Sequence, residues 1–528
     1  ALVAAGWWAW RALRERRPRE LLWLAGGTAV AVVLSLPVLV DLGFAITVAS
    51  TVLDADAEGP AVAPGAFLGH LAQPLRTPQA LGIWLSGDFR LLPAWLDLQR
   101  VLTVLATVAV ALGAIWALRR RALGPLLLAA VVGPVSLYLL QRGTPYADAK
   151  VLMIASPAAL LLALLGAAAL ARGRWRWAGR ALLGLLAAGV LASSALAYHD
   201  VSLAPHDRYA ELLEINDRLD GRGPVIFNEY DEFAKFFLRD AIVWASPEWP
   251  HVYRGEPFAS PDALSDPDRR PSVKAPADPD DFEEAYLATA AYLVTRRSPM
   301  ASRPPSGWRA AWEGDHYVVW ERAAGVDVLE HLPLGATVLE PAAVPVCETI
   351  TALARRAQAG GARLAYVERP PGPVLLPAAM AGADWGPSAN FPGAVSLDGP
   401  GELRGTIEVE RPQRFKVWME ASVSRAVEVK VDGRRIGAVA DHLNNAGAYL
   451  PVGDVRLDRG AHEIAVAMGG DTLAPGDGGS SLGLRQVGPL VFRPADDPRR
   501  TVRTIAPRDH AELCGRSLDW VEIVRVNG

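Results

Sequence analysis

Up to Tyr198 the chain is written as apolar runs close to 20 residues long, cut apart by short clusters of arginine. No other feature restricts the fold as much. A helix needs about 20 consecutive apolar residues to cross a bilayer, because each residue adds about 1.5 Å. The runs Leu21 to Val40, Val101 to Leu118, Gly124 to Gln141, Val151 to Ala171 and Ala181 to Tyr198 therefore read as spans, and Ala1 to Trp10 as the tail of one more. Because the chain opens inside an apolar run and lacks an initiator Met, it reads as the C-terminal part of a longer protein. Hydrophobic residues make up 51% of the 528, and the excess is concentrated in this first part.

Arginine sets the expected orientation. Arg11 to Glu20, Arg119 to Arg121 and Arg172 to Arg180 are basic loops, and they alternate with the acidic or mixed loops Asp41 to Asp97 and Arg142 to Lys150. The positive-inside rule puts the basic loops in the cytoplasm and everything after Tyr198 outside. The expected location is the plasma membrane, with an extracytoplasmic C-terminal region. Cys347 and Cys514, the chain's two cysteines, would then sit where an oxidising compartment allows pairing; sequence alone leaves both the bridge and two separate thiols open.

The expected fold is a multi-pass α-helical membrane domain followed by an extracytoplasmic α/β subdomain and a C-terminal β-sandwich. Residues 1–198 form the membrane part, and residues 199–345 the α/β subdomain, in which "RYAELLEINDRLDGRGPVIFNEYDEFAKFFLRD" reads as helix, turn, short buried strand and helix. Residues 346–403 are read as a connector. From 404 to 528, stretches such as "RFKVWMEASV" and "AVEVKVDGRRIGAV" alternate apolar with polar residues around turns at Asp432-Gly433 and Arg459-Gly460, the pattern of a sandwich, a class that often binds glycans outside cells.

The chemistry-bearing stretch is "RGTPYADAKVLMIASP", Arg142 to Pro157, which sets an acid and an amine against an apolar run. Lys150 is one of only five lysines beside forty-eight arginines. Its plain reading is contact with lipid phosphates, with Asp148 as a local partner; its sharper reading is a site for an anionic lipid-linked group. A second candidate is "GIWLSGDFR", where Trp84 and Phe89 with Asp88 and Arg90 read as an amphipathic segment at the interface, the charged pair facing water. Weaker signals are "NEYDE" (Asn228 to Glu232), the polar loop Asp441 to Gly447, and a Gly-rich loop with Asp471 and Asp477 that could hold an ion.

The run "YADAKVLMIASPAALLLALLG" resembles the late exterior loop and following span of polytopic GT-C glycosyltransferases, and "NEYDEFAKFFLRD", "YLVTRRSP", "YVVWER" and "LCGRSLDWVE" resemble stretches of actinobacterial glycosyltransferase-like membrane proteins. The first likeness implies transfer of a sugar from a polyprenyl-phosphate-linked donor to a cell-envelope glycan acceptor at the outer face. On that reading Lys150, Arg142 and Tyr146 hold the donor phosphate, and Asp148, Asp88, Arg90 and Trp84 line a cavity beside it. The family's catalytic Asp usually lies in a first exterior loop, which on this reading is expected to precede the chain, so no catalytic residue carries over. No cofactor is called for, although a divalent cation is compatible with such a donor.

Two other classes compete. A non-catalytic, membrane-anchored glycan-binding or envelope-assembly protein would show an aromatic-lined groove on the sandwich. A transporter would need ionisable groups inside its spans, which are nearly free of them. There is no G-x-x-x-x-G-K-[ST], H-E-x-x-H or paired C-x-x-C, so nucleotide hydrolysis and structural zinc are not expected, and the mixed charge of the exterior half argues against a nucleic-acid partner.

Overall fold

The computed structural model describes residues 2–40, 71, 74–199, 206–229, 234–245, 277–335, 340–388, 393–441, 447–470, 473, 485–497 and 501–526. The chain divides into one unit ending at Asp200 and a second beginning at Val201. Asp471, Asp477, most of the Asp441 to Gly447 loop and most of the Asp41 to Asp97 loop lie outside the described residues.

The first unit is helical: α1 (Leu2–Arg14), α2 (Pro18–Val40), α3 (Leu96–Arg120), α4 (Leu123–Arg142), α5 (Pro145–Ala171) and α6 (Arg176–His199). Four of these, α3 to α6, are long and apolar enough to cross a membrane, and each contains one of the spans expected from sequence. The expected span Leu21 to Val40 falls on α2, a 23-residue helix outside that set of four. Prolines bracket the turns here: Pro145 opens α5 behind the Thr144 cap, whose Oγ1 accepts from the Ala147 N–H at 3.3 Å.

Small residues decide how α3 and α5 pack. A Cβ on Gly113 would sit 1.8 Å from the Leu162 carbonyl oxygen, and one on Gly166 would sit 2.1 Å from that of Ala109. The two backbones are therefore in direct contact, the arrangement that small residues permit between membrane helices. Gly113→Ala is expected to force them apart and lower stability by roughly 1–3 kcal/mol. Thermal unfolding of the purified chain in detergent checks this; an unchanged midpoint would mean the helices do not meet at these glycines.

The second unit starts with α7 (His206–Leu219) against a five-stranded sheet of β1 (Val225–Phe227), β2 (Val243–Ala245), β3 (Tyr292–Arg296), β4 (Trp308–Glu313) and β5 (Tyr317–Arg322), ordered β2-β1-β3-β5-β4. β1 runs parallel to both β2 and β3, and the rest pair antiparallel. β1 is buried throughout, as a strand covered on both faces must be. Leu212, Ile215 and Leu219 of α7 supply the stripe that covers it.

Next come β6 (Val326–Pro333), α8 (Cys347–Ala359) and β7 (Arg363–Glu368). Ten strands follow: β8 (Val374–Leu375), β9 (Ala381–Gly382), β10 (Val395–Ser396), β11 (Gly401–Val409), β12 (Gln413–Ser422), β13 (Val427–Val431), β14 (Arg434–Val439), β15 (Tyr449–Leu457), β16 (Gly460–Met468) and β17 (Gln486–Pro494). They form two five-stranded sheets, β10-β17-β12-β15 with β8 on β17, and β14-β13-β16-β11-β9. Phe415, Val417 and Met419 of one sheet and Val427, Val429, Ile464 and Val466 of the other bury a single core, which the alternation in sequence anticipates.

β18 (Arg503–Ile505) and β19 (Leu518–Val526) do not join those sheets. They return to β6 and β7 in a four-stranded sheet ordered β18-β7-β19-β6. Two boundaries drawn from sequence are thereby corrected. Residues 346–403 do not merely connect, because α8 and β7 build this sheet and its covering helix, and the two-sheet part ends near Pro494 instead of running to 528. Alternation looks alike in any half-buried antiparallel strand, so the pattern in "LDWVEIVRV" could not say which sheet it joins. Cys347 and Cys514 form a disulfide with Cα atoms 5.4 Å apart, closing the base of the inserted two-sheet part.

Candidate functional site

In the first unit the segment before α3 is held by three polar clamps. Gln99 of α3 is buried; its amide donates to the Ile83 carbonyl at 2.9 Å and accepts from the Leu85 N–H at 3.1 Å. Ser193 of α6 accepts from the Trp84 N–H at 2.8 Å. The Trp84 ring nitrogen donates to the Leu91 carbonyl at 3.0 Å. Ile83 and Leu85 then pack with Leu102, Ala106 and Leu186. An irregular segment stays ordered here because its backbone groups find side-chain partners.

Asp88 and Arg90 do not face water as their sequence context suggested; both are buried. The Arg90 guanidinium donates to both Asp88 oxygens, at 2.6 Å from Nη2 and 2.9 Å from Nε, and the Arg90 N–H adds a further bond at 2.9 Å. A bidentate pair two residues apart closes a turn around Phe89, whose carbonyl accepts from the Gln79 side chain at 2.8 Å. Trp84 and Phe89, with Gly82, Met153, Ser156 and Ser193, line a cavity of about 400 Å³ between this segment, α5 and α6. Its wall is mostly apolar or small, with serines and Gln79 as the polar exceptions.

Lys150 is exposed near the start of α5, its Nζ 4.4 Å from the centre of the Tyr146 ring. Neither residue lines the cavity, and neither do Asp148, Asp88 and Arg90; of the candidates from sequence, Trp84 and its segment neighbour Phe89 do. Helical spacing nonetheless puts Tyr146, Lys150, Met153 and Pro157 along one side of α5, and the last two are cavity wall. The cation therefore stands on the stripe that leads into the cavity, nearer the helix N-terminus. Asp148 is not its ion-pair partner: residues two apart on a helix face different ways, and the Asp148 Oδ1 is buried without a hydrogen-bond partner. Arg142 closes α4, and its side chain lies outside what the structure describes.

In the second unit, "NEYDE" contributes to a packed interior. Asn228 is buried; its side chain donates to the Ala277 carbonyl at 2.7 Å and accepts from the Arg296 N–H at 2.9 Å. Glu229 is also buried, takes the Tyr317 hydroxyl at 2.6 Å, and faces Arg208 and Arg296 at 3.7 and 3.6 Å. Those arginines, after burial itself, push the neighbouring His316 down to about 3, so it stays neutral. Tyr230 to Glu232 lie outside the described residues.

Sequence reasoning missed a second ionic cluster. His331 on β6 sits between Asp280 at 3.0 Å and Glu522 of β19 at 2.7 Å, and Glu522 also accepts from the Ser306 N–H at 3.0 Å. Burial alone would lower the His331 pKa, but the hydrogen bonds to Asp280 and Glu522 and their charges overcome it and raise it to about 10. Asp519, one strand residue from Trp520, accepts from the Arg369 guanidinium at 2.7 Å and the Arg303 N–H at 2.8 Å. These groups join the β1–β5 part to the four-stranded sheet, and their chemistry is that of a structural junction. His331 and Asp280 are 51 residues apart and His331 and Glu522 are 191 apart, so no local motif could have signalled them. Among the described residues no group of His, Cys, Asp and Glu is arranged to hold a metal ion.

No family model matches the chain, and no curated protein matches it. Solved structures give partial matches over about a quarter of it. A family 35 carbohydrate binding module from Clostridium thermocellum matches 24% of this chain and 100% of its own length, at 10% identity and a TM-score of 0.19. A Podospora anserina GH26-CBM35 β-(1,4)-mannanase matches 24% of this chain and 28% of its own, at 10% identity and a TM-score of 0.19. An exo-β-1,3-galactanase from Phanerochaete chrysosporium matches 23% and 29%, at 15% identity and a TM-score of 0.17. The match thus spans under a third of either enzyme, and scores this low assign neither fold nor ligand.

Proposed function

We propose that the chain belongs to a membrane glycosyltransferase of GT-C plan that takes its sugar from a polyprenyl-phosphate-linked donor at the outer face, its second unit being extracytoplasmic. One observation carries this reading: an apolar cavity of about 400 Å³ in the helical unit, reached along a side of α5 that bears Tyr146 and Lys150. An amphiphile with an apolar tail and a phosphate head matches that order of surfaces. The tail fills the cavity beside Trp84 and Phe89, and the head meets the Lys150 ammonium close to the positive end of the α5 dipole. A base for the acceptor hydroxyl is not assigned, since Asp88 is engaged by Arg90.

The second unit enters this reading as an acceptor-side module whose two sheets make a β-sandwich. The competing reading, a membrane-anchored glycan binder without catalysis, wants an exposed aromatic platform. Among the described residues of the two sheets, Trp385, Phe415, Trp418, Tyr449 and Phe492 are all buried, which favours the donor-lipid reading.

Binding of a panel of polyprenyl-phosphate sugars to the purified chain in nanodiscs tests it. Lys150→Ala should weaken binding roughly ten-fold or more, the scale of one hydrogen bond to a charged group. Ala197→Trp, which fills the cavity from α6, should abolish it. Binding that neither substitution changes would return Lys150 to lipid-headgroup contact and the cavity to a packing defect.

A further inference from the structure

One end of the helical unit is strongly and uniformly basic. The α3–α4 connection carries Arg119 to Arg121, and the α5–α6 connection carries Arg172, Arg174, Arg176 and Arg180. Both connections lie at the same end, because α4 crosses back between α3 and α5, and Gly113 and Gly166, each near the C-terminus of its helix, meet backbone to backbone. All seven arginines are exposed. The chain contains no Asp or Glu from Leu98 to Ala147 or from Ala149 to His199, and among the described residues none of the seven arginines is in an ion pair.

The contrast with α1 and α2 is instructive. There Arg11 and Arg17 are matched by Glu15 and Glu20, at 2.8 to 3.0 Å. The α5–α6 connection sets its arginines against tryptophan without such carboxylates, as Arg14 of α1 is set 5.2 Å from Trp10: Arg174 lies 5.4 Å from the Trp175 ring centre, and Arg176 and Arg180 lie 5.7 and 5.1 Å from that of Trp177. Trp175 and Trp177 are 58% and 69% exposed, so the rings are presented, not packed. The turn that presents them is tight: a Cβ on Gly179 would lie 2.1 Å from the Ala171 backbone nitrogen, placing the first turn of α6 directly on the last of α5.

We propose that this arginine–tryptophan rim is a docking surface for the anionic headgroups of phospholipids in the leaflet around it. Each part of the chemistry fits that occupant. Guanidinium forks bind phosphate oxygens bidentately, indole rings settle at headgroup depth, and a row of uncompensated cations beside spanning helices concentrates anionic lipid. The rim lies at the ends of helices long enough to span, which brings lipid headgroups to it and selects them over other polyanions. It is separate from the cavity and does not depend on the sugar-transfer reading.

The test is to reconstitute the chain into vesicles of phosphatidylcholine with a minor fraction of phosphatidylglycerol, extract it with its surrounding lipid, and quantify that lipid by mass spectrometry. Phosphatidylglycerol should be enriched several-fold over the bulk, since a cluster of cations near the surface attracts anionic headgroups. The enrichment should fall when NaCl is raised from about 0.05 to 0.5 M, as screening shortens the reach of the charges. It should also fall towards the bulk value in the quadruple variant Arg172→Gln, Arg174→Gln, Arg176→Gln, Arg180→Gln. The salt series uses the unaltered chain and so decides the matter even if the variant inserts poorly. No enrichment, enrichment indifferent to salt, or enrichment unchanged in a well-inserted variant would each overturn the proposal.

Discussion

Replacing His331 with leucine is expected to destabilise the second unit by roughly 3–5 kcal/mol, the usual scale when one partner of a buried ionic group is removed. The imidazolium is shared by Asp280 and Glu522, so its loss leaves two carboxylates facing one another with no cation between them. The same group gives stability a pH dependence of definite sign. Its folded pKa is about 10 against an unfolded value of 6.5, so the native state holds a proton that the unfolded chain releases. That contribution is complete below pH 6.5 and is lost as pH rises towards 10.

Three carboxyls act in the same direction at lower pH. Burial, followed by repulsion from Asp280 and Asp281, pushes Asp278 up to about 8. Burial and then Glu522 push Glu284 up to about 7. Burial pushes Glu420 up to about 7, against the Gly447 N–H that lowers it. Each is protonated in the folded state where the unfolded chain has already ionised, so each weakens the fold as pH rises through the interval from about 4 to 7 or 8. Thermal unfolding of the intact chain should therefore show a midpoint that falls between pH 6 and pH 9, and His331→Leu should flatten the upper part of that slope. A midpoint that rises with pH, or a His331→Leu chain as stable as the parent, would remove His331 from the junction.

The second large effect is expected from the disulfide. Reducing it, or replacing both cysteines by serine, should cost roughly 2–5 kcal/mol. Cys347 opens α8 and Cys514 follows the 3₁₀ turn Pro507–Leu513, at a sequence separation of 167 that encloses the two sheets built from β8 to β17. Without the bridge the unfolded chain regains the freedom of a very long loop, while the native contact keeps the apolar packing of Leu513 with Ile350 and Leu353 and the Thr351–His510 hydrogen bond at 3.1 Å. Denaturant unfolding with and without reductant reads the difference. Coincident curves would mean that packing around α8 already fixes this base.

How legible the protein was differs between its parts. α3 to α6 stand in the sequence because the bilayer requirement is local: a helix satisfies its own backbone, so a run of apolar residues of the right length is enough. The alternating strands were legible for the same kind of reason, since a period of two records which face is buried. Lys150 was found by its rarity and Trp84 by its place in a loop. The cavity itself was not visible, because its wall is assembled from Gly82, Ser156 and Ser193, ordinary residues brought together from three segments.

By itself, then, the sequence determined where the four long apolar helices and the alternating strands after Arg404 lie and which cysteines were available to pair. Tertiary structure alone decided that Asp88 and Arg90 neutralise each other, that β19 leaves the two-sheet part to join β6 and β7, and that His331 is held between Asp280 and Glu522. The physical reason is range. Periodicity and chain length act between neighbours along the chain and are written there, whereas desolvation and charge pairing depend on which distant groups fold into contact.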